Sequence, residues 1–99
     1  MDGIENLNNV LSFDIECDGF LPTLTKIHCI CTENVGTGEL NVYYESEEDI
    51  YTGLLSLYNA ECIVGHNILG FDIPAIQKLY PRWKCKSFHD TFILSCLLS

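Results

Sequence analysis

The chain predicts an α/β fold, a mixed five-stranded sheet with helices on its faces, and three observations carry the prediction. Residues 10 to 16 alternate apolar and polar with the two-residue period of a strand. Three such segments follow one another before helical and strand-like segments begin to take turns. Two acidic stretches, Phe13-Asp14-Ile15-Glu16 and Gly65-His66-Asn67-Ile68-Leu69-Gly70-Phe71-Asp72, then fall where strands end.

In the first strand Leu11, Phe13 and Ile15 share one face, and Val10, Ser12, Asp14 and Glu16 the other. Asp18-Gly19-Phe20-Leu21-Pro22 reads as a turn, residues 25 to 32 as a second strand, residues 33 to 38 as a loop, and Leu40 to Tyr44 as a third strand. Ser46 followed by Glu47, Glu48 and Asp49 marks a helix start with acids in its first turn. Ile50, Leu54, Leu57 and Tyr58 repeat at helical spacing to about Asn59. Cys62 to Gly65 is a short buried strand, and a helix over 71 to 80 carries Asp72 and Pro74 in its first turn, where proline is tolerated. Lys84 to Phe88 reads as a fifth strand, after which Asp90 caps a helix opening at Thr91. That helix, through Phe92, Ile93, Leu94, Cys96, Leu97 and Leu98, is apolar all round. It needs cover, so the chain reads as cut short, with C-terminal helices missing, or as completed by another polypeptide.

Ninety-nine residues, 47% of them apolar, make one domain with a core, residues 1 to 99. No stretch reaches the ~20 apolar residues of a membrane span and the N-terminus lacks the order of a signal peptide, which points to a cytoplasmic protein. Six cysteines fit reduced, buried thiols, because Cys17, Cys29, Cys31, Cys62 and Cys96 mostly lie in apolar runs. The net charge of −9 divides unevenly: residues 1 to 77 hold one base, Lys26, against thirteen acids, and residues 78 to 99 hold four bases against one. Such a surface repels a polyanion, so a nucleic-acid role requires metal ions at the site and positive surface from elsewhere. Lys78, Arg82, Lys84 and Lys86 form the one candidate footprint, which reads equally as a solvated helix end.

Asp14 and Glu16 leave the same face of a strand roughly 7 Å apart along the backbone. With Asp72 they gather negative charge that a chain tolerates mainly when divalent cations bind between the carboxylates. Glu16, Asp72 and Asp90 each have an ordinary explanation as turn or helix-start residues. Asp14 on a central strand does not, because burying an unpaired acid costs several kcal/mol. Zinc is disfavoured: Cys29 and Cys31 share one face of what reads as a core strand, and His28, Cys85 and His89 complete no paired ligand motif. Tyr43, Tyr44, Tyr51 and Tyr58 read as packing between helix and sheet.

Leu11 to Glu16 resembles the first motif, and His66-Asn67 through Phe71-Asp72 the second, of the DEDD (DnaQ-like) 3′-to-5′ exonucleases, whose fold is ribonuclease H-like. Lys26 to Cys29, Ile63 to Asn67, Asp72 to Ala75 and His89 to Ser95 are similar to the N-terminal proofreading domain of the family A DNA polymerases of short-tailed phages. The resemblance implies a metal-dependent exonuclease acting on a single-stranded DNA 3′ end and releasing nucleoside monophosphates in a phage-infected bacterial cell. Its cofactor would be two Mg²⁺ or Mn²⁺ ions held by Asp14, Glu16 and Asp72, the catalytic acids. Asn67 and Phe71 would hold the terminal nucleotide, by hydrogen bonding and packing. The family's third motif, a Tyr or His before a fourth acid, has no counterpart here. Asp90 is a tempting substitute with a sufficient role as a cap, and His66 and His89 are candidates for proton transfer or for structure. The chain alone is therefore expected to be weakly active or inactive, bound to the rest of a polymerase. The alternative is a non-catalytic module docking on a partner through its last helix. An RNA-directed relative would share every motif.

Overall fold

The computed structural model describes residues 9 to 92. The expected helix beyond Phe92 lies outside the described residues. A single sheet has the strand order β3-β2-β1-β4-β5. β1 (Val10–Cys17), β2 (Ile27–Asn34) and β3 (Leu40–Tyr43) form an antiparallel meander, and β4 (Cys62–Gly65) and β5 (Phe88–Asp90) lie parallel to β1 and to each other. The helix α1 (Glu47–Asn59) connects β3 to β4, and a π-helical turn (Ile68–Asp72) runs into α2 (Ile73–Leu79) between β4 and β5. This is the mixed five-stranded α/β arrangement that the sequence predicts, consistent with a ribonuclease H-like fold.

Alternation in β1 has its expected consequence: Phe13 and Ile15 are buried while Asp14 and Glu16 are exposed. Both helices join Phe13, Ile15 and Ile30 in one core through Ile50, Leu54, Leu57, Ile73, Ala75 and Ile76. Trp83 completes that core and donates its indole N–H to the Leu54 carbonyl at 3.0 Å, satisfying the only polar atom of its ring. Ser46 caps α1 by accepting the Asp49 amide at 3.1 Å. Among the described residues no helix is long and apolar enough to cross a membrane.

Four expectations need correction. β2 runs to Asn34, two residues into the expected loop, and β5 starts at Phe88, where the expected strand was to end. Residues 84 to 87 form no strand, and a backbone hydrogen bond from the Ile63 amide to the Ser87 carbonyl ties them to β4. Among the described residues Cys17, Cys29, Cys31, Cys62 and Cys85 are free, but none is fully buried, and Cys31 is exposed because it lies on the face of the sheet opposite the helices. Of the four tyrosines only Tyr43 packs between α1 and the sheet, against Gly53 and beside the Ser56 hydroxyl. Tyr44, Tyr51 and Tyr58 are 61%, 56% and 41% exposed.

Candidate functional site: an acidic strand face and a π-helical turn

The parallel pairing of β4 with β1 covers only Val10, Leu11 and Ser12. Beyond Ser12 that edge of β1 pairs with no strand among the described residues, and the Asp72 carboxyl comes near the Ile15 amide there, which pulls its titration downward. A π-helical turn delivers Asp72 there. Its wider winding is closed by the Ile73 amide donating to the Ile68 carbonyl, five residues back. Sequence periodicity does not reveal this turn, because the expected helix over 71 to 80 and the loop before it merge in one continuous winding. Pro74 then sits in the first turn of α2, where its missing N–H costs nothing.

Burial reverses the sequence expectation. Asp14 is exposed on the open face of β1, since both helices pack on the other side, whereas Asp72 is only 6% exposed. Burial, then the negative charge of Asp14, push the Asp72 carboxyl up to about 6, against a smaller downward pull from the Ile15 amide. The one ion pair among the described residues joins Lys86 to Glu61, so no basic side chain neutralises Asp14 or Asp72 there. Glu16 is exposed on the Asp14 side, and with Asp72 and Asp18 it adds to the burial that raises the Cys17 thiol to about 11. Asp14 thus stands near enough to Asp72 for its charge to raise that carboxyl, and Glu16 is exposed on the same face of β1 as Asp14. Among the described residues no three His, Cys, Asp or Glu side chains already converge on one point.

Asn67, at the start of the π-turn, adopts a left-handed conformation (φ 59°) that a short polar side chain tolerates. Its side chain is exposed and folds over Gly70, where an added Cβ would come within 2.4 Å of Asn67 Oδ1. Phe71 is half-buried and packs against the core, so only part of its ring is available to a ligand. His66 hydrogen-bonds the Thr91 hydroxyl through Nδ1 at 3.0 Å and meets the Phe92 ring edge-on. A groove of about 400 Å³ on the open face is lined by Ser12, Asp14, Glu33, Val64, His66 and Thr91, among others. Sequence reasoning weighed His66 but not Thr91, which only the β4–β5 pairing brings beside it.

Asp90 has a larger role than a helix cap. It is buried at the end of β5, and its carboxylate accepts the amides of Asn67 (2.8 Å), Leu69 (2.9 Å) and Phe92 (2.9 Å). One side chain therefore ties the last strand to the π-turn that carries Asp72. The basic cluster is partly committed to structure: Lys78 donates to the Leu21 carbonyl, and Lys86 to the Asn59 carbonyl. Another groove, about 520 Å³ between α1 and the turn after α2, lies among Tyr51, Tyr58 and Trp83 on the helix side, away from the acids.

Fold and site together define a mixed-sheet α/β domain with an acidic face beside a strapped π-turn. The chain is 33% identical over 94 residues to the DNA-directed DNA polymerase of Escherichia phage T7, an alignment covering 86% of this chain and 13% of that protein. It is 31% identical over 98 residues to the DNA-directed DNA polymerase of Enterobacteria phage T3, covering 90% of this chain and 14% of that one. The chain thus spans about one seventh of the length of either polymerase. In structure it is similar to the family B DNA polymerase of the hyperthermophilic archaeon Pyrobaculum calidifontis, with a TM-score of 0.57 and 20% identity over 73% of this chain and 11% of that chain. That likeness is one of fold. No protein-family model matches the chain.

Proposed function

We propose that this chain carries the acidic half of a 3′-to-5′ proofreading exonuclease site of the DEDD type, working as part of a phage-type DNA polymerase. The observation that carries the reading is the buried Asp72 carboxyl at the edge of β1, pushed up to about 6 by burial and by the charge of Asp14, with no ion-paired base at either acid among the described residues. Two carboxylates facing each other without a cation are poorly compensated, and their oxygens suit a hard divalent ion. Mg²⁺ in particular is commonly held by one or two carboxylates, with water and substrate phosphate filling its other positions, so a pair rather than a closed cage is a sufficient donor set. Similarity to two phage DNA polymerases supports the same reading.

Asp14, Glu16 and Asp72 would hold two Mg²⁺ or Mn²⁺ ions, whose chemistry when bound is to stabilise the entering and departing oxygens of displacement at phosphorus. The chain's own residues do the positioning. The π-turn brings Asp72 to the edge of β1 near Asp14, and Asn67 and the exposed edge of Phe71 would hold the terminal nucleotide of a single-stranded DNA 3′ end. His66, held by Thr91, lines the groove that contains Asp14. Two close acids and a third at the rim make a partial site, so the isolated chain is expected to act weakly or not at all without the rest of a polymerase.

The test combines binding and activity. Mn²⁺ should raise the melting temperature of the wild-type chain and leave that of Asp14→Ala unchanged. A polymerase carrying this segment should release nucleoside monophosphates from single-stranded DNA in Mg²⁺ and lose that activity in Asp14→Ala. Undiminished release by that variant would remove Asp14 from the mechanism.

A further inference from the structure

The exposed stripe of α1 and the basic cluster after α2 take no part in the acidic face. Tyr51, Leu55 and Tyr58 follow one another at helical spacing, so they share one side of α1, and all three are exposed. The core takes Ile50, Leu54 and Leu57, which makes the stripe a second apolar side of the same helix. The groove beside it, lined also by Leu79, Tyr80 and Pro81, widens that side. Charge is divided along the helix. Glu47 and Glu48 are exposed at its N-terminal end, where a shallow hollow sets them beside Tyr51 and Tyr80. The segment after α2 follows the other half: Trp83 donates to the Leu54 carbonyl and Lys86 to the Asn59 carbonyl, which brings the exposed Arg82, Lys84 and Lys86 along the C-terminal half of α1.

We propose that this side of α1 is the contact surface of a homodimer, in which the helices of two copies pack antiparallel about a two-fold axis beside Leu55. The stripe is close to symmetric about that residue. Leu55 then meets the second copy's Leu55, and Tyr51 meets the second copy's Tyr58 on both sides of the axis, the self-complementary pattern that a two-fold contact requires. The same rotation lays the Glu47 and Glu48 end of each helix against the Arg82, Lys84 and Lys86 end of the other, so opposite charges face each other at both margins. Parallel packing would set acid against acid and base against base. Tyrosine suits such a contact, because its ring buries apolar area while its hydroxyl reaches water at the margin. Both helices lie on the sheet face opposite Asp14, so the dimer leaves both acidic faces outward and does not depend on the nuclease reading. It also gives the basic cluster a role other than a nucleic-acid footprint.

The experiment is sedimentation velocity on the reduced chain from about 1 µM to about 1 mM, over which the mass should rise from one chain to two. Leu55→Glu and Tyr58→Glu, both at exposed positions, should stay monomeric at every concentration with an unchanged circular dichroism spectrum. The double variants Glu47→Lys with Glu48→Lys, and Arg82→Glu with Lys84→Glu, should each self-associate about tenfold more weakly than wild type. Mixed together they restore opposite charges at both margins and should form a mixed dimer at least as tight as the wild-type one. A change in fold stability alone cannot produce that rescue. A wild-type chain that is monomeric throughout would overturn the proposal and leave the groove to a different polypeptide. A dimer that persists in Leu55→Glu, or charge-reversed variants that fail to pair when mixed, would overturn it equally.

Discussion

Asp72 approaches β1 just past the point where β4 stops pairing with it, close enough to the Ile15 amide to feel its downward pull and to Asp14 to feel the opposing charge. A side chain thus comes to the strand edge where a strand partner ends. It also stores an unfavourable charge, since Asp72 is pushed up to about 6 by burial and by Asp14.

That charge fixes the sign of one pH dependence. The folded chain holds the Asp72 proton more tightly than the unfolded chain, whose carboxyl titrates near 3.8. Asp72 therefore imposes no penalty below about pH 4, and stability should fall as pH rises from there through about 6. In metal-free buffer the melting temperature should drop across this window. Asp72→Asn, which keeps an oxygen for the Ile15 amide, should remove the drop and melt higher than wild type at neutral pH.

Asp18 supplies the opposite slope. Hydrogen bonds from the Thr25 hydroxyl and amide, and a further one from the Lys26 amide, hold its carboxyl down to about 2. Its stabilisation is present above about pH 4 and is lost as pH falls toward 2. Asp18→Asn should flatten the acid limb of a melting-temperature profile and leave the limb between 4 and 6 intact.

Removing the Asp90 carboxylate leaves three amides without their acceptor, two of them in the turn that carries Asp72. Asp90→Ala should cost about 3 kcal/mol or more by chemical denaturation, and Asp90→Asn less, because one oxygen remains. Mn²⁺ stabilisation should shrink in Asp90→Ala even where the chain is still folded.

Gly65 ends β4 where an added Cβ would lie 2.3 Å from the Cγ2 of Ile68 and 3.2 Å from the Phe13 carbonyl. Ile68 is fully buried and cannot swing clear, so Gly65→Ala should cost about 1–3 kcal/mol, a fall of roughly 5–15 °C in melting temperature. Gly38→Ala, in open space at φ 78°, should cost only about 1–2 kcal/mol from backbone conformation.

Much of this architecture is legible in the residues. Alternation around Phe13 and Ile15, the cap at Ser46 and the period of Ile50, Leu54 and Leu57 are local signals, and each element they mark stands where expected. The opposite burial of Asp14 and Asp72 was not legible, because which face a helix covers depends on contacts between distant segments. The π-turn escaped for a related reason: its five-residue hydrogen bond is stabilised by Asp90, far along the chain, and no local period encodes it. The start of β5 at Phe88 was missed because the basic residues before it disguise where pairing with Ile63 begins. At Cys31 an apolar neighbourhood in the sequence concealed an exposed position in the sheet.

The strand that anchors the π-turn is three residues long and lies at the edge of the sheet. Peeling it away removes the acceptor of two loop amides, so fraying at this margin and loosening of the turn become a single opening event. The amides of Asn67 and Leu69 should then exchange with deuterium in step with those of Phe88 to Asp90, and sooner than the β1–β2 ladder. Metal affinity would then be limited by how firmly the outermost strand stays attached, and a partner that clamps that margin would strengthen ion binding without touching a single carboxylate.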